Sequence, residues 1–464
     1  MRLSHSWRTD GAVFDDENLV SCAGLIPVMA LAEQAGLSEL LDDHVRFTDE
    51  RVRSGGANPA GKLTSIIAGL AAGADSIDDL QVVRSGGMKK VFNFVYAPST
   101  LGIHLREFTH GHVRQLDAVL TRHLLALVQG TDLLKGIEVQ ARVDVDSLLR
   151  PVYGHQKQGA SFGHTKIANR QVLRKGLSPL AVTISTPDAA PVLAAVRLRA
   201  GKAGSGRGAA GIVVQAINPA KKAGATNILV RGDSAYGNGD VINAVIKTGA
   251  KFSFVLPKNQ SVNQAIATIP DDAWTPVHSP GAVQDPDTGE LICKRRSRRN
   301  LLHRVRQHQT PCHRPAHPPA RERPQPPRRT VPRVAVPPLF HRQHRAGHRR
   351  RHHPPATRHR RIGVRRSHRR TLGPPAVGRF SSNAAWTVLA AITHNLLRAA
   401  GTLAAPHLGK ARGATLRRQI INVPARIARP QGQRILHLPA HWPHADSWKS
   451  LWNNTCHHSR QVTA

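Results

Sequence analysis

Apolar residues recur at helical spacing through the first 140 residues and at strand spacing after them. Leu25, Val28, Leu31 and Ala32 share one helical face, as do Leu63, Ile66, Ile67, Leu70 and Ala71. A third run, Val113 to Gln129, puts Leu116, Val119, Leu120, Leu124 and Leu127 on one side. Residues 1–140 are therefore expected to be mostly helical. Within them, Ala30 to Leu40 resembles a helix-turn-helix, and a plain packed pair of helices explains the same pattern.

From residue 141 the period changes. Strands are predicted over Val143 to Ser147, Lys166 to Leu173, Leu180 to Ser185 and Val192 to Leu198. A helix follows from Ala209 to Ala223, with Ile212, Val213, Ala216 and Ile217 inward. Gly224 stops it, and Pro219 ends it early or kinks it. Ile228 to Arg231 is the next strand. Asn238 then caps a helix carrying Val241, Ile242, Val245 and Ile246 up to Gly249, and Lys251 to Leu256 is the last strand. Strands, then helix, strand, helix, strand make 141–260 an α/β unit. Asn259 to Ile292 reads as loop-like, with turn signals at Pro270-Asp-Asp-Ala-Trp274 and Asp285-Pro-Asp-Thr-Gly289, and residues 261–293 are expected to begin an inserted subdomain.

Between Lys294 and Val377 the pattern breaks. Arginine, histidine and proline dominate, lysine occurs once (Lys294), and no apolar period lasts more than a few residues. Such a stretch cannot bury a core. The chain's net charge of +37 is concentrated here: residues 294–379 hold 26 Lys/Arg against one acid, Glu322. The total charge thus describes one segment and is no argument for nucleic-acid binding by the rest. Three readings fit: a basic tail that binds phosphate without sequence preference, a His-rich metal tract, or translation out of frame. The histidines lack ligand spacing, which disfavours the second. GC-rich coding DNA read in a wrong frame yields arginine, proline, alanine and histidine while starving lysine, tyrosine and acids, which favours the third.

Past that stretch, in residues 378–464, Ala384 to Ala400 reads as a helix burying Trp386, Leu389, Ile392, Leu396 and Leu397. Arg417, Arg418, Ile420, Ile421, Val423, Arg426 and Ile427, then Arg434 to Leu438, read as short strands with basic edges. Arg417 and Arg418 are candidate DNA-backbone contacts. A structural end anchored by Trp442, Trp448 and Trp452 fits the same residues equally well. The four cysteines (Cys22, Cys293, Cys312, Cys456) show neither pairing rhythm nor zinc spacing, which suits a reducing compartment. No signal peptide or transmembrane run is evident, so a cytoplasmic, nucleoid-associated protein is expected.

The candidate chemistry lies in Arg142-Val-Asp-Val-Asp-Ser-Leu-Leu-Arg-Pro-Val-Tyr-Gly154. On a strand, Asp144 and Asp146 point to one face. Asp233 follows 87 residues after Asp146, at the end of the apolar run Ile228-Leu-Val-Arg-Gly-Asp-Ser-Ala-Tyr-Gly237. Two carboxylates at strand ends can hold a hard divalent cation. Ordinary aspartates on two surface loops would show the same spacing. His155, Lys157, His164 and Lys166 are candidate phosphate contacts, or simply a solvated basic loop.

These segments resemble the first two motifs of DDE-type insertion-sequence transposases with an RNase H-like core, in particular the insertion-sequence group numbered 1380. Gln156-Lys-Gln-Gly-Ala-Ser161, Gly176 to Ala181, Leu198 to Gly201 and Val230 to Gly237 match its pattern too. The resemblance implies that Asp146 and Asp233 are the first two catalytic acids and metal ligands, with Asp144 a weaker candidate ligand. It implies two Mg²⁺ ions, cleavage of double-stranded DNA at element ends and strand transfer into a target, with a homodimer compatible. It also implies that residues 1–140 contribute DNA-end recognition. The family's third acid, a glutamate, belongs around residues 358–366, where this chain has Arg358 to Arg366. Glu322 has no matching surroundings. Family-like sequence stops near Cys293 and resumes near Gly378, as two compensating frame changes would produce.

The expected architecture is therefore an α/β, RNase H-like catalytic core with a helical N-terminal domain and a disordered or misframed basic insertion. The expected function is that of a transposase inactive in this form. The alternative is a non-catalytic, basic nucleic-acid-binding protein. A free RNase H-type nuclease would need a third acid nearby, and none is evident.

Overall fold

The computed structural model describes residues 11–47, 54–93, 95–153, 156–167, 170–255, 260–268, 282–284, 291–293, 306–307, 339–341 and 378–456. After a two-residue strand β1 (Leu19–Val20), the first third is helical: α1 (Leu25–Gln34), α2 (Leu37–His44), α3 (Pro59–Ala72), α4 (Met88–Val91), α5 (Pro98–Arg106) and α6 (His110–Gly130). Local chemistry sets several of these ends. Asn58 accepts from the Gly61 amide ahead of Pro59 at the start of α3. Thr109 caps α6 by accepting from the His112 amide. Gly36, at φ +69°, makes the left-handed joint between α1 and α2. Both helices turn apolar residues inward, with Leu25, Val28, Leu31, Leu37 and Leu41 buried.

The central sheet is built from β2 (Ala141–Ser147), β6 (Leu180–Ser185), β7 (Val192–Arg197), β8 (Ile228–Gly232) and β9 (Lys251–Val255). Between β2 and β6 lie β3 (Arg150–Pro151), β4 (Ser161–Ile167) and β5 (Arg170–Leu177). Helix α7 (Ala209–Lys222) links β7 to β8, and α8 (Gly239–Lys247) links β8 to β9. Across the sheet the order is β9-β8-β2-β6-β7. β8 and β9 run parallel to β2, whereas β6 and β7 alternate antiparallel. Every residue of β6 is buried, as it lies between β2 and β7 with α7 packed on it. Pro219 sits inside α7 without ending it, and Gly224 stops the chain just beyond at φ +98°.

Three expectations are corrected here. The single strand predicted over Lys166 to Leu173 is a hairpin, β4 paired antiparallel to β5, and it joins β3 in a separate sheet. Arg417 to Ile421 is helical, following α11 (Gly413–Leu416), rather than a strand edge. The stretch after Asn259 is not all loop: it holds α9 (Gln260–Ala267) and the antiparallel pair β10 (Ala282–Gln284) and β11 (Leu291–Cys293).

Within 294–377 only β12 (Arg306–Gln307) and β13 (Leu339–His341) are described, and β13 extends the sheet antiparallel to β9. The remainder of that segment, with Glu322 and residues 358–366, lies outside the described residues, as does its expected disorder or misframing.

The C-terminal part returns to the core. Helix α10 (Phe380–Ala404) is buried almost all round, with Trp386, Leu389, Ile392, Leu396 and Leu397 among its inward residues, and it packs on α3, α6 and β7. Asn395 accepts from the Leu193 amide and donates to the Leu193 carbonyl, both at 2.8 Å, completing the backbone of β7. β14 (Ala425–Ala428) pairs with β1 and with β15 (Ile435–His437), and α12 (Ala445–Cys456) stacks Trp448 on Trp452. One continuous apolar core runs from Val20 to Leu451. Among the described residues no helix is long and apolar enough to cross a membrane.

Candidate active site

The parallel pairing of β2 with β8 sets the site. Its register runs Ala141 to Ile228, Arg142 to Leu229, Val143 to Val230 and Asp144 to Arg231, a constant offset of 87 residues. Asp146, two residues past the last registered pair on β2, and Asp233, the first residue past β8, lie at the same end of these two adjacent strands. Both are half-buried. Asp146 Oδ1 accepts from the Ser147 amide at 2.8 Å, and Asp233 Oδ1 accepts from the Ala235 amide at 3.0 Å. The Tyr236 amide donates to the Asp233 carbonyl at 3.1 Å, closing the turn after β8.

That turn carries Tyr236 inward, where its ring is 1% exposed and its hydroxyl lacks a well-formed hydrogen bond. Burial raises the phenol above its ordinary range, and the negative charges of Asp146 and Asp233 both push it further in that direction. Arg199, which acts on Tyr236 in the opposite sense, is itself buried. It donates to the carbonyls of Ser178, Gly204, Ser205 and Arg207, tying the loop after β7 to the start of β6.

Asp144 departs from the expectation of a metal ligand. Both of its oxygens accept from the Arg231 guanidinium, Nε and Nη2 at 2.5 Å each, in a buried bidentate pair. Its carboxylate is committed to clamping β2 to β8. The signal was readable: Asp144 and Asp146, like Arg231 and Asp233, are two residues apart on strands, so whatever pairs the second members also pairs the first. Tyr236 and Arg199 carried no comparable signal, because their roles depend on where the loops fold.

The basic candidates separate. His164 is exposed on β4 opposite Leu173, Lys157 is half-buried in the loop before β4, and Lys166 lies on β4 paired in register with Gln171. His155 lies outside the described residues. Arg418 is exposed. Arg417 is a correction: its guanidinium donates to the Leu70 and Ala71 carbonyls at the C-terminus of α3, and burial lowers its pKa. It caps a helix, and its partly buried guanidinium is committed to backbone carbonyls rather than to a phosphate.

The donor set suits magnesium, a hard cation that takes one or two carboxylates and keeps several waters or substrate oxygens. Asp146 and Asp233 supply such oxygens from neighbouring strand ends. Among the described residues no group of three or more His, Cys, Asp or Glu side chains is placed to hold a metal.

A parallel strand pair ending in two aspartates, within a helix-covered mixed sheet, defines an α/β protein with a carboxylate site at the strand ends. The chain belongs to the family described as transposase DDE domain group 1, whose model matches residues 11–291. Among solved structures, a piggyBac transposase in a synaptic complex with hairpin DNA is similar at 9% identity and a TM-score of 0.27, over 53% of this chain and 54% of that one. The chain therefore spans about half the length of that transposase. Comparison with curated proteins gives no match.

Proposed function

We propose that this chain is an insertion-sequence transposase of the group numbered 1380, with Asp146 and Asp233 as the first two acids of an RNase H-like core. The parallel pairing of β2 with β8, whose neighbouring ends carry Asp146 and Asp233, supports this reading. The sheet order, with two helix-linked parallel strands on one side of β2 and an antiparallel pair on the other, is the order such a core requires. Asp146 and Asp233 would hold magnesium, which when bound activates a water or DNA 3′-hydroxyl and stabilises the leaving oxygen. Asp144 and Arg231 fix the strand register beneath them, and the buried Tyr236 ring keeps solvent from their inner side. The substrate is double-stranded DNA at element ends and target, handled in the cytoplasm by two copies of the chain.

The same reading holds that this form does not complete the reaction. The third acid is absent from the sequence where the family places it, and residues 294–377 are read as out of frame. Reading the gene's other two frames between codons 293 and 377 tests this: an acid-containing segment ending in an Arg-x-x-x-Ile-Glu-like helix is expected, and its absence removes the frame argument. The acid pair is tested without activity, by Mn²⁺ binding followed by electron paramagnetic resonance. Asp146→Asn and Asp233→Asn should each weaken binding by about tenfold or more, whereas Asp240→Asn, an exposed acid on α8, should not. Equal binding by all three variants would sink the assignment.

The 26 Lys/Arg of residues 294–379 favour a second reading. In it the chain is a non-catalytic polycation on a decayed core, and its DNA binding disappears with that segment and is indifferent to Asp146.

A further inference from the structure

The connection from β2 to β6 leaves and re-enters the sheet at its acid-bearing end, where Ser147 pairs with Leu180. Between Ser147 and Pro187 it carries six Lys/Arg and no acid. Most of it is the β4–β5 hairpin, whose two faces differ sharply. The inner face sets Gly163 and Gly176 against backbone, with Arg174 exposed beside them. A Cβ on Gly163 would lie 2.3 Å from the Gly201 carbonyl oxygen, and one on Gly201 would lie 2.1 Å from that of Ser161. The Lys202 amide also donates to Ser161 Oγ at 2.7 Å. This face is pinned to the loop after β7.

The outer face is free. Phe162 stands opposite Lys175 and His164 opposite Leu173, so these four side chains form one square on the pleat. All four are exposed, Phe162 by 61% and Leu173 by 54%. Two large apolar groups held in water on a rigid support, diagonal to each other and each flanked by two basic ones, mark a contact surface rather than a packing accident. An acid-free, cationic setting selects a polyanion. Apolar side chains beside it suit the sugar and base surface that such wedges press against in a duplex groove.

We propose that the outer face of this hairpin docks double-stranded DNA next to the acid pair, with Lys175 and His164 on phosphates and Phe162 and Leu173 against the groove. This rests on the transposase reading above and names the surface that holds the substrate there.

The test uses the full chain with p-benzoylphenylalanine in place of Phe162 or, as control, of Val139. Val139 is also exposed (66%) but precedes the opposite end of β2. After irradiation with a short labelled duplex, the Phe162 position should cross-link several-fold above the Val139 position. In parallel, Lys175→Ala should reduce the salt slope of duplex binding by about 0.9, the value of one phosphate contact. If the duplex binds but the two positions cross-link equally, the hairpin proposal is overturned and the acid-pair reading stands. If the chain binds no duplex, the transposase reading fails and this proposal with it.

Discussion

At the scale of single residues, the site depends on a pair that does no chemistry. Asp144 and Arg231 are buried, face each other across parallel strands, and lie one step inside Asp146 and Asp233. A one-residue slip of β8 against β2 would turn Asp233 to the wrong face. Removing one member leaves an unpaired buried charge, which typically costs about 3–5 kcal/mol, whereas replacing both with apolar residues is often near neutral. Arg231→Met should therefore lower stability by about that amount in urea unfolding. Asp144→Leu combined with Arg231→Met should recover most of it. Equal losses in the single and double variants would show that the two do not act as a unit.

At the scale of elements, apolar periodicity located α1, α3, α6, α7, α8, α10 and the core strands to within a few residues, since each buries a continuous face. It merged β4 and β5 because neither hides an apolar face: their inner side sets Gly163 and Gly176 on backbone, and their outer side is solvent. It took Arg417 to Ile421 for a strand because the partners of Arg417 are carbonyls of α3, 346 and 347 residues away in sequence. Helix packing also buries groups that sequence reading treats as polar. His123 on α6 is 1% exposed against the Ala32 carbonyl of α1, and burial lowers its pKa from 6.5 to about 4. The folded state thus favours the neutral ring. The stability this contributes is complete above pH 6.5 and is lost as pH falls through 4, about 3 kcal/mol between pH 7 and pH 4. Asp117 on the same helix, raised by burial to about 6, works in the opposite sense, losing stability as pH rises through 6. The comparison must therefore be between variants. His123→Leu should flatten the acid limb of a urea-midpoint profile relative to the parent chain, and an unchanged limb would remove His123 as its source.

At the scale of the molecule, the two sides of the compositional break form one core, and this bears on how the chain came to be. The acids were legible as motifs and their neighbouring strand ends through the order of elements, and the pairing of Asp144 with Arg231 followed from the same two-residue spacing on both strands. The dependence of residues 11–293 on residues 378–456 was visible to sequence only as a buried-looking helix. In the structure α10 covers α3, α6 and β7, Asn395 completes the backbone of β7, Arg417 caps α3, and β14 is the partner of β1. A chain stopped after residue 293 loses all four at once. It also exposes the apolar sides of Leu63, Ile66, Leu116 and Leu120 that this core buries. Such a chain should fail to unfold cooperatively and should bind dyes for exposed apolar surface, whereas the full chain should show a single transition. The same dependence supports a restored reading frame near residue 377, because a random translation past the break would not supply a helix buried on every side. If the truncated chain melts cooperatively at the temperature of the full one, α10 is an appendage, and the argument that its frame had to return fails with it.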